Sequence, residues 1–258
     1  MLNIAVRAAR RAGEVIVRQM SRLDTVEVGR KGRQDYVTSV DLKAEQVIID
    51  TLRQAYPKHA FRAEESGESG TGDYVWIIDP LDGTMNYLHG FPQFCISIAL
   101  EVKGEIDQAV VYDPLRNELF EASRGRGAQL DGRKIRVSRV DKLEDALIGT
   151  GFPVREMARI KPYLAAFEAV ITEAAGIRRA GAAALDLAYV ACGRLDGFWE
   201  TGLAAWDVAA GQLLVEEAGG IVTDLRGRRE GVLDGNVVAG TPRIHAALSR
   251  HVGTRPAR

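Results

Sequence analysis

Cysteine is scarce. Cys95 and Cys192 are the two in 258 residues, and each sits among apolar neighbours. Such usage argues against a disulfide-stapled secreted framework; two buried reduced thiols are expected, with a disulfide or a shared metal as the alternatives. Long apolar runs are missing as well. None approaches the roughly 18–20 residues that span a bilayer, so no membrane helix is expected. Neither sign of charge dominates: 34 Lys and Arg stand against 35 Asp and Glu, which leaves no global basic field to draw the chain to nucleic acid or to an anionic membrane. Internal repeats, low-complexity tracts and linkers are absent, and the "HVGTRPAR" tail is expected to be loosely held. The opening "MLNIAVRAARRAGEVIVRQM" spreads arginines through its length and has no apolar h-region, so a secretory signal is not expected and the cytoplasm is.

What is present is an ordinary globular composition, 46% hydrophobic and 27% charged, in a chain long enough to bury a sizeable core. Leu2, Val6, Ala9, Gly13, Ile16 and Met20 step by fours and threes, the period of one helix face. A second helix is expected over "TSVDLKAEQVIIDTLRQAYP", facing inward through Val40, Ala44, Val47, Ile48, Thr51, Leu52 and Ala55 and stopped by Pro57. From 75 to about 137, short β-prone segments alternate with Gly, Asp-Pro and Asp-Gly punctuation, the pattern of an antiparallel meander. Beyond 145 helices and strands alternate. Helices are expected over 157–175, "AALDLAYVACG", "WDVAAGQLLVEEAGG" and "PRIHAALSRH", and strands at "DALIGTGFP", "LDGFWE", "IVTDL" and "NVVAG". The expectation is one domain over 1–258, an α+β part to about 145 and an α/β part from 146, packed as one layered body.

The acids carry the chemical interest. "WIIDPLDGT" ends an apolar strand in Asp79 and Asp82, followed by a turn and a short helix. Strand ends of layered sheets are where ligands gather, and carboxylates crowded together there are relieved by a hard divalent cation such as Mg²⁺. A plain Asp-Gly turn with Asp79 as its cap is the structural alternative. Glu64 and Glu65 precede a Gly/Ser loop and read equally as a solvated acidic loop. Asp207 opens a helix, where an N-cap acid is also at home. Asp41, three residues after Thr38, fits a capping box. The four histidines, His59, His89, His245 and His251, lie apart from these acids in sequence, with His89 the nearest.

Taken together, "WIIDPLDGT", Glu64-Glu65-Ser66 upstream and "WDVAAG" downstream resemble the inositol monophosphatase family of magnesium-dependent, lithium-sensitive phosphatases. The likeness extends over "KGRQDYVTSVD" (31–41), "VVYDPLRNELFEASRGRGA" (110–128) and "RRAGAAALDLAYVACGRLDGFWETG" (178–202), most like the family's bacterial SuhB branch. The resemblance implies a layered αβαβα sandwich of the sugar-phosphatase type, and two or three Mg²⁺ per subunit. Glu64, Asp79 and the Leu81 carbonyl would hold one ion, Asp79, Asp82 and Asp207 a second, and Glu64 a weaker third. Thr84, bonded to Asp41, would orient and deprotonate the attacking water. Gly83 and Thr84 would offer N–H groups to the phosphate, with Glu200 and the Ala183 backbone on the sugar hydroxyls and Asp82 and Asp207 touching the substrate too.

The implied activity is hydrolysis of myo-inositol 1-phosphate and related sugar or polyol phosphates, with fructose 1,6-bisphosphate, NADP or histidinol phosphate as alternative substrates. A homodimer is implied as well. The SuhB likeness raises a second role, binding RNA polymerase or Nus factors in ribosomal RNA transcription antitermination. Arg124, Arg126, Arg133, Lys134 and Arg136 offer a local basic cluster that leaves nucleic acid open, and read equally as a solvated hairpin. Ala63, Met85, Gly90 and Ala182 depart from the common family pattern, and none of them is a ligand.

Overall fold

The computed structural model describes residues 1–23, 26–32, 35–153 and 157–253. Arg33 and Gln34 of the 31–41 motif, and the expected loose tail from 254 on, lie outside them. Helix α1 (Leu2–Met20) buries Ala5, Ala8, Ala9, Ala12, Gly13 and Ile16. Its inward stripe is made of smaller residues than the periodicity proposed, with Leu2, Val6 and Met20 only half-buried. A hairpin of β1 (Val28–Gly32) and β2 (Asp35–Thr38) leads into α2 (Ser39–Ala55). The Thr38 hydroxyl accepts from the Val40 and Asp41 N–H groups, and Asp41 accepts from Thr38 in return, which is why the helix begins there. It ends before Pro57 as expected, although Ala55 is exposed.

The large sheet follows: β3 (Ala60–Ala63), β4 (Gly67–Ser69), β5 (Tyr74–Asp82), then after α3 (Thr84–Leu88) β6 (Cys95–Val102), β7 (Glu105–Asp113), β8 (Glu118–Ser123), β9 (Gly127–Leu130) and β10 (Arg133–Lys134), in spatial order β10-β9-β8-β7-β6-β5-β3-β4. The expected meander is β5 to β10, antiparallel throughout, while β3 adds to β5 in parallel. The second sheet is built from β11 (Leu147–Thr150), then after α4 (Ile160–Ile171) β12 (Gly176–Arg178), after α5 (Ala183–Ala191) β13 (Gly197–Glu200), and after α6 (Ala205–Glu217) β14 (Ile221–Thr223) and β15 (Val237–Gly240), ordered β12-β11-β13-β15-β14; α7 (Pro242–Val252) ends the described chain.

Side-chain alternation decides the layers. Trp76, Ile78, Ile96, Ile98 and Leu100 face α1 and α2. Ile77, Cys95, Ala99, Val111 and Phe120 face the other way, onto α5 and α6. Those two helices also meet Phe198, Val222, Val237 and Ala239 of the second sheet, whose far side, Ile148, Trp199 and Val238, packs on α4 and α7. Helix α6 is buried without a break from Asp207 to Val215, as a helix between two sheets must be. The body is therefore a five-layer αβαβα sandwich. Cys95 is buried, but Cys192 is half-buried, and both are free thiols; burial pushes both thiol pKa values up. Among the described residues no helix is long and apolar enough to cross a membrane.

Candidate metal centre

Asp79 and Asp82 are three apart, an odd spacing that sends side chains of a regular strand to opposite faces. The β5–β6 register resolves this: Asp79 pairs with Ser97 and Asp82 with Cys95, so three steps on β5 match two on β6. The extra residue is a β-bulge at Pro80-Leu81, where a proline loses no needed ladder bond. Both carboxylates consequently turn toward the start of α6, on the face that Ile77 and Cys95 share. Asp79 is 1% exposed, and its Oδ1 accepts from the Leu81 N–H at 2.9 Å. Asp82 accepts from the Ala184 N–H at 2.8 Å and lies 3.7 Å from the Cys95 thiol.

Asp207 comes from α6. It is the third residue of that helix rather than its cap, and its carboxylate accepts from the Ala204 N–H at 2.7 Å. One oxygen of each of Asp79, Asp82 and Asp207 lies within 4.8 Å of the others. Glu64 follows β3, its N–H bonded to the Ile78 carbonyl at 3.1 Å. Burial pushes the Asp79 pKa well above its ordinary value, and the charges of Glu64, Asp82 and Asp207 push it further. Burial and the Asp207 charge bring Asp82 up to about 7. The group is all oxygen and crowded, a donor set that fits a hard divalent ion such as Mg²⁺.

Beside it, the Thr84 hydroxyl donates to Asp41 Oδ1 and to the Leu81 carbonyl, both at 3.1 Å. The Thr38 N–H and hydroxyl hold the other Asp41 oxygen. Burial raises the Asp41 pKa, and the bonds from Thr38 and Thr84 act against that rise. Gly83 sits at φ +94° with the Gln93 carbonyl 2.9 Å from where a Cβ would stand, so both conformation and space demand glycine there. Ala183 opens α5 next to the Ala184 N–H that binds Asp82. Glu200 ends β13, and its carboxyl fills the space where a Gly151 methyl would stand. Glu65 turns its N–H away from the centre, to Glu45. The histidines stay out: His59 stacks between Tyr56 and Tyr74, His89 is exposed past α3, His245 pairs with Thr223 and His251 with Glu173.

Two residues escaped the sequence reading. Glu45, 3% exposed on α2, accepts from the Glu65 and Ser66 N–H groups, each at 2.8 Å, and so ties down the loop that carries Glu64. Its position four after Asp41, on the same helix face, was the available signal. Asp186 is buried on α5; its signal was a single acid inside the apolar run "AAALDLAYVA".

A five-layer αβαβα frame with a cluster of carboxylates at the bulged end of β5 defines a class of layered proteins. Within that class, the chain belongs to the inositol monophosphatase family, whose model matches residues 1–256. The Nus factor SuhB of Pseudomonas aeruginosa is 56% identical over 254 residues, covering 96% of this chain and 94% of that protein. The Nus factor SuhB of Escherichia coli is 53% identical over 250 residues, with the same coverage. Among solved structures, the extragenic suppressor protein suhB of Bartonella henselae superimposes with a TM-score of 0.94 at 47% identity over 97% of each chain. An inositol monophosphatase from Anabaena does so at 0.87 and 41%, covering 97% of this chain and 94% of that one.

Proposed function

We propose that this protein is a Mg²⁺-dependent phosphomonoesterase acting on myo-inositol 1-phosphate and related sugar and polyol phosphates. The observation that carries the reading is the convergence of Asp79, Asp82 and Asp207 within 4.8 Å of one another, with the Glu64 charge acting on Asp79. Glu64, Asp79, Asp82, Asp207 and the Leu81 carbonyl would hold two or three ions. When bound, Mg²⁺ neutralises phosphate charge, lowers the pKa of a bound water and stabilises the leaving alkoxide.

The chain's own residues do the rest. Thr84, held by Asp41 and the Leu81 carbonyl, keeps its lone pairs for a water, orients it and takes part in moving its proton, with Glu64 flanking the same water. Gly83 and Thr84 present N–H groups to the phosphate. Glu200 and the Ala183 backbone hold the hydroxyls of the alcohol half, next to Asp82 and Asp207. A phosphate-release screen over myo-inositol 1-phosphate, fructose 1,6-bisphosphate, NADP and histidinol phosphate tests the reading, with Mg²⁺, with EDTA and with Li⁺. Release that needs Mg²⁺ and is inhibited by Li⁺ is expected; no release from any substrate would sink it.

A second role has its own support in the relatives named Nus factor SuhB at 53–56% identity and in a hairpin that leaves Arg126, Arg133, Lys134 and Arg136 exposed. We infer that a cytoplasmic homodimer also engages RNA polymerase or Nus factors. Arg124 is spent on Glu105 at 2.7 Å, and Glu217 accepts from the Gly125 and Gly127 N–H groups, so the hairpin is pinned in place. Pull-down of polymerase subunits by an Asp79→Asn variant separates the roles: capture equal to wild type supports binding independent of catalysis.

A further inference from the structure

Asn86 stands in the middle of the short helix α3, half-buried, and its side chain reaches across to the second part of the chain. Its Nδ2 donates to the Gln93 carbonyl at 2.7 Å, to the Ala180 carbonyl at 2.9 Å and to the Gly181 carbonyl at 3.2 Å. Three acceptors around one end of a carboxamide are served only by its NH₂ group, whose two protons they share.

Each carbonyl belongs to a segment that shapes the candidate centre. That of Gln93 lies 2.9 Å from where a Gly83 Cβ would stand. Ala180 and Gly181 are the two residues before Ala182, the cap of α5. From the first turn of that helix the Ala184 N–H donates to Asp82 Oδ2 at 2.8 Å, across 102 positions of sequence. Asn86, four residues past Asp82, therefore takes hold of the same helix at its entry. Neither Ala180 nor Gly181 has a polar side chain with which to make that attachment, so it comes from α3. At the start of α3, Thr84 is bonded in turn to Asp41 and to the Leu81 carbonyl.

We propose that Asn86 is a positioning residue of the candidate centre. It clamps the entry of α5 to α3 and so fixes the Ala184 N–H against Asp82, which sets the orientation in which Asp82 meets a Mg²⁺ ion together with Asp79 and Asp207. Its amide nitrogen is spent on the three carbonyls, so it acts through Asp82. The inference rests on the cation-site reading above and assigns part of that site's affinity to a residue outside the acid cluster.

The test is calorimetric titration of Mg²⁺ into wild type, Asn86→Leu and Asn86→Ala after treatment with EDTA and its removal, with thermal melts of each in EDTA. Leu keeps roughly the volume of Asn and removes both donor protons. The dissociation constant for Mg²⁺ is expected to rise about 10-fold in Asn86→Leu, as for other groups that orient metal ligands. On myo-inositol 1-phosphate, kcat at saturating Mg²⁺ should stay within about threefold. A merely structural role would lower the melting temperature and leave the Mg²⁺ affinity of the folded protein where it was. Affinity within about twofold of wild type therefore overturns the proposal, whatever the melt shows. A fall in kcat of more than about 10-fold at saturating Mg²⁺ overturns it too, since that places Asn86 among the reacting groups. Asn86→Ala serves if Leu fails to melt cooperatively. Wild type that binds no Mg²⁺ would instead sink the cation-site reading, and this inference with it.

Discussion

Two Asp-Pro dipeptides end buried strands of the same sheet. Asp79-Pro80 lies toward the end of β5 and Asp113-Pro114 at the end of β7, with Ser97 of β6 paired to Asp79 on one side and Val111 on the other. Both aspartates are 1% exposed and both cap the turn that follows, Asp79 through the Leu81 N–H and Asp113 through those of Leu115 and Arg116. The difference lies three residues on. There Asp113 meets the Arg116 guanidinium at 2.6 Å, whereas Asp79 meets Asp82, with Asp207 and Glu64 besides. Burial is therefore common to a structural acid and a candidate ligand. What separates them is the group each meets three residues on, a guanidinium or a second carboxylate. Asp224 repeats the structural pattern: burial pushes its pKa up, and the Arg228 backbone and guanidinium, with the Arg226 N–H, more than offset that.

Neutralising each of the two acids in turn separates them most visibly. Asp79→Asn is expected to cut phosphate release by more than about 100-fold, beyond the loss typical of residues one shell out from a metal. Asp113→Asn should leave kcat/KM within about threefold and lower stability by about 1–2 kcal/mol in urea melts. Equal kinetic damage from both would erase the distinction. Glu45→Gln comes next: loosening the 64–66 loop should raise the Mg²⁺ needed for half-maximal activity about 10-fold while kcat at saturating Mg²⁺ holds.

The smallest effect is on the pH dependence of the metal-free protein. Asp82 has its pKa raised from 3.8 to about 7. The folded state holds that proton where the unfolded chain has lost it, so this stability is present below about 4 and is lost as pH rises toward 7. Thermal melting in EDTA should show that decline, Mg²⁺ should remove it, and Asp82→Asn should flatten it. A melting temperature in EDTA that climbs over the same window would contradict the sign.

The acids of the candidate centre are legible in the sequence because they fall in short, punctuated motifs, and the structure brings Asp79, Asp82 and Asp207 together and bonds Thr84 to Asp41. The layered frame is legible for the same reason, since period-2 and period-3.6 patterns change over at glycines and prolines. Local pattern cannot show what depends on distant partners. The bulge that brings Asp79 and Asp82 to one face exists only in the register with β6. Glu45 acts on residues 20 and 21 positions away. The parallel pairing of β3 with β5 and the short strand β12 are likewise set by neighbours, not by their own few residues.

If the clustered acids Asp79, Asp82 and Asp207 form a cation site, the protein binds Mg²⁺ without any substrate present. Calorimetric titration of Mg²⁺ into wild type and Asp82→Asn, at neutral pH after treatment with EDTA and its removal, tests it most directly. Saturable Mg²⁺ binding by wild type, weakened at least about tenfold in the variant, is the expected result. Absence of binding by wild type, or identical binding by both proteins, would contradict it.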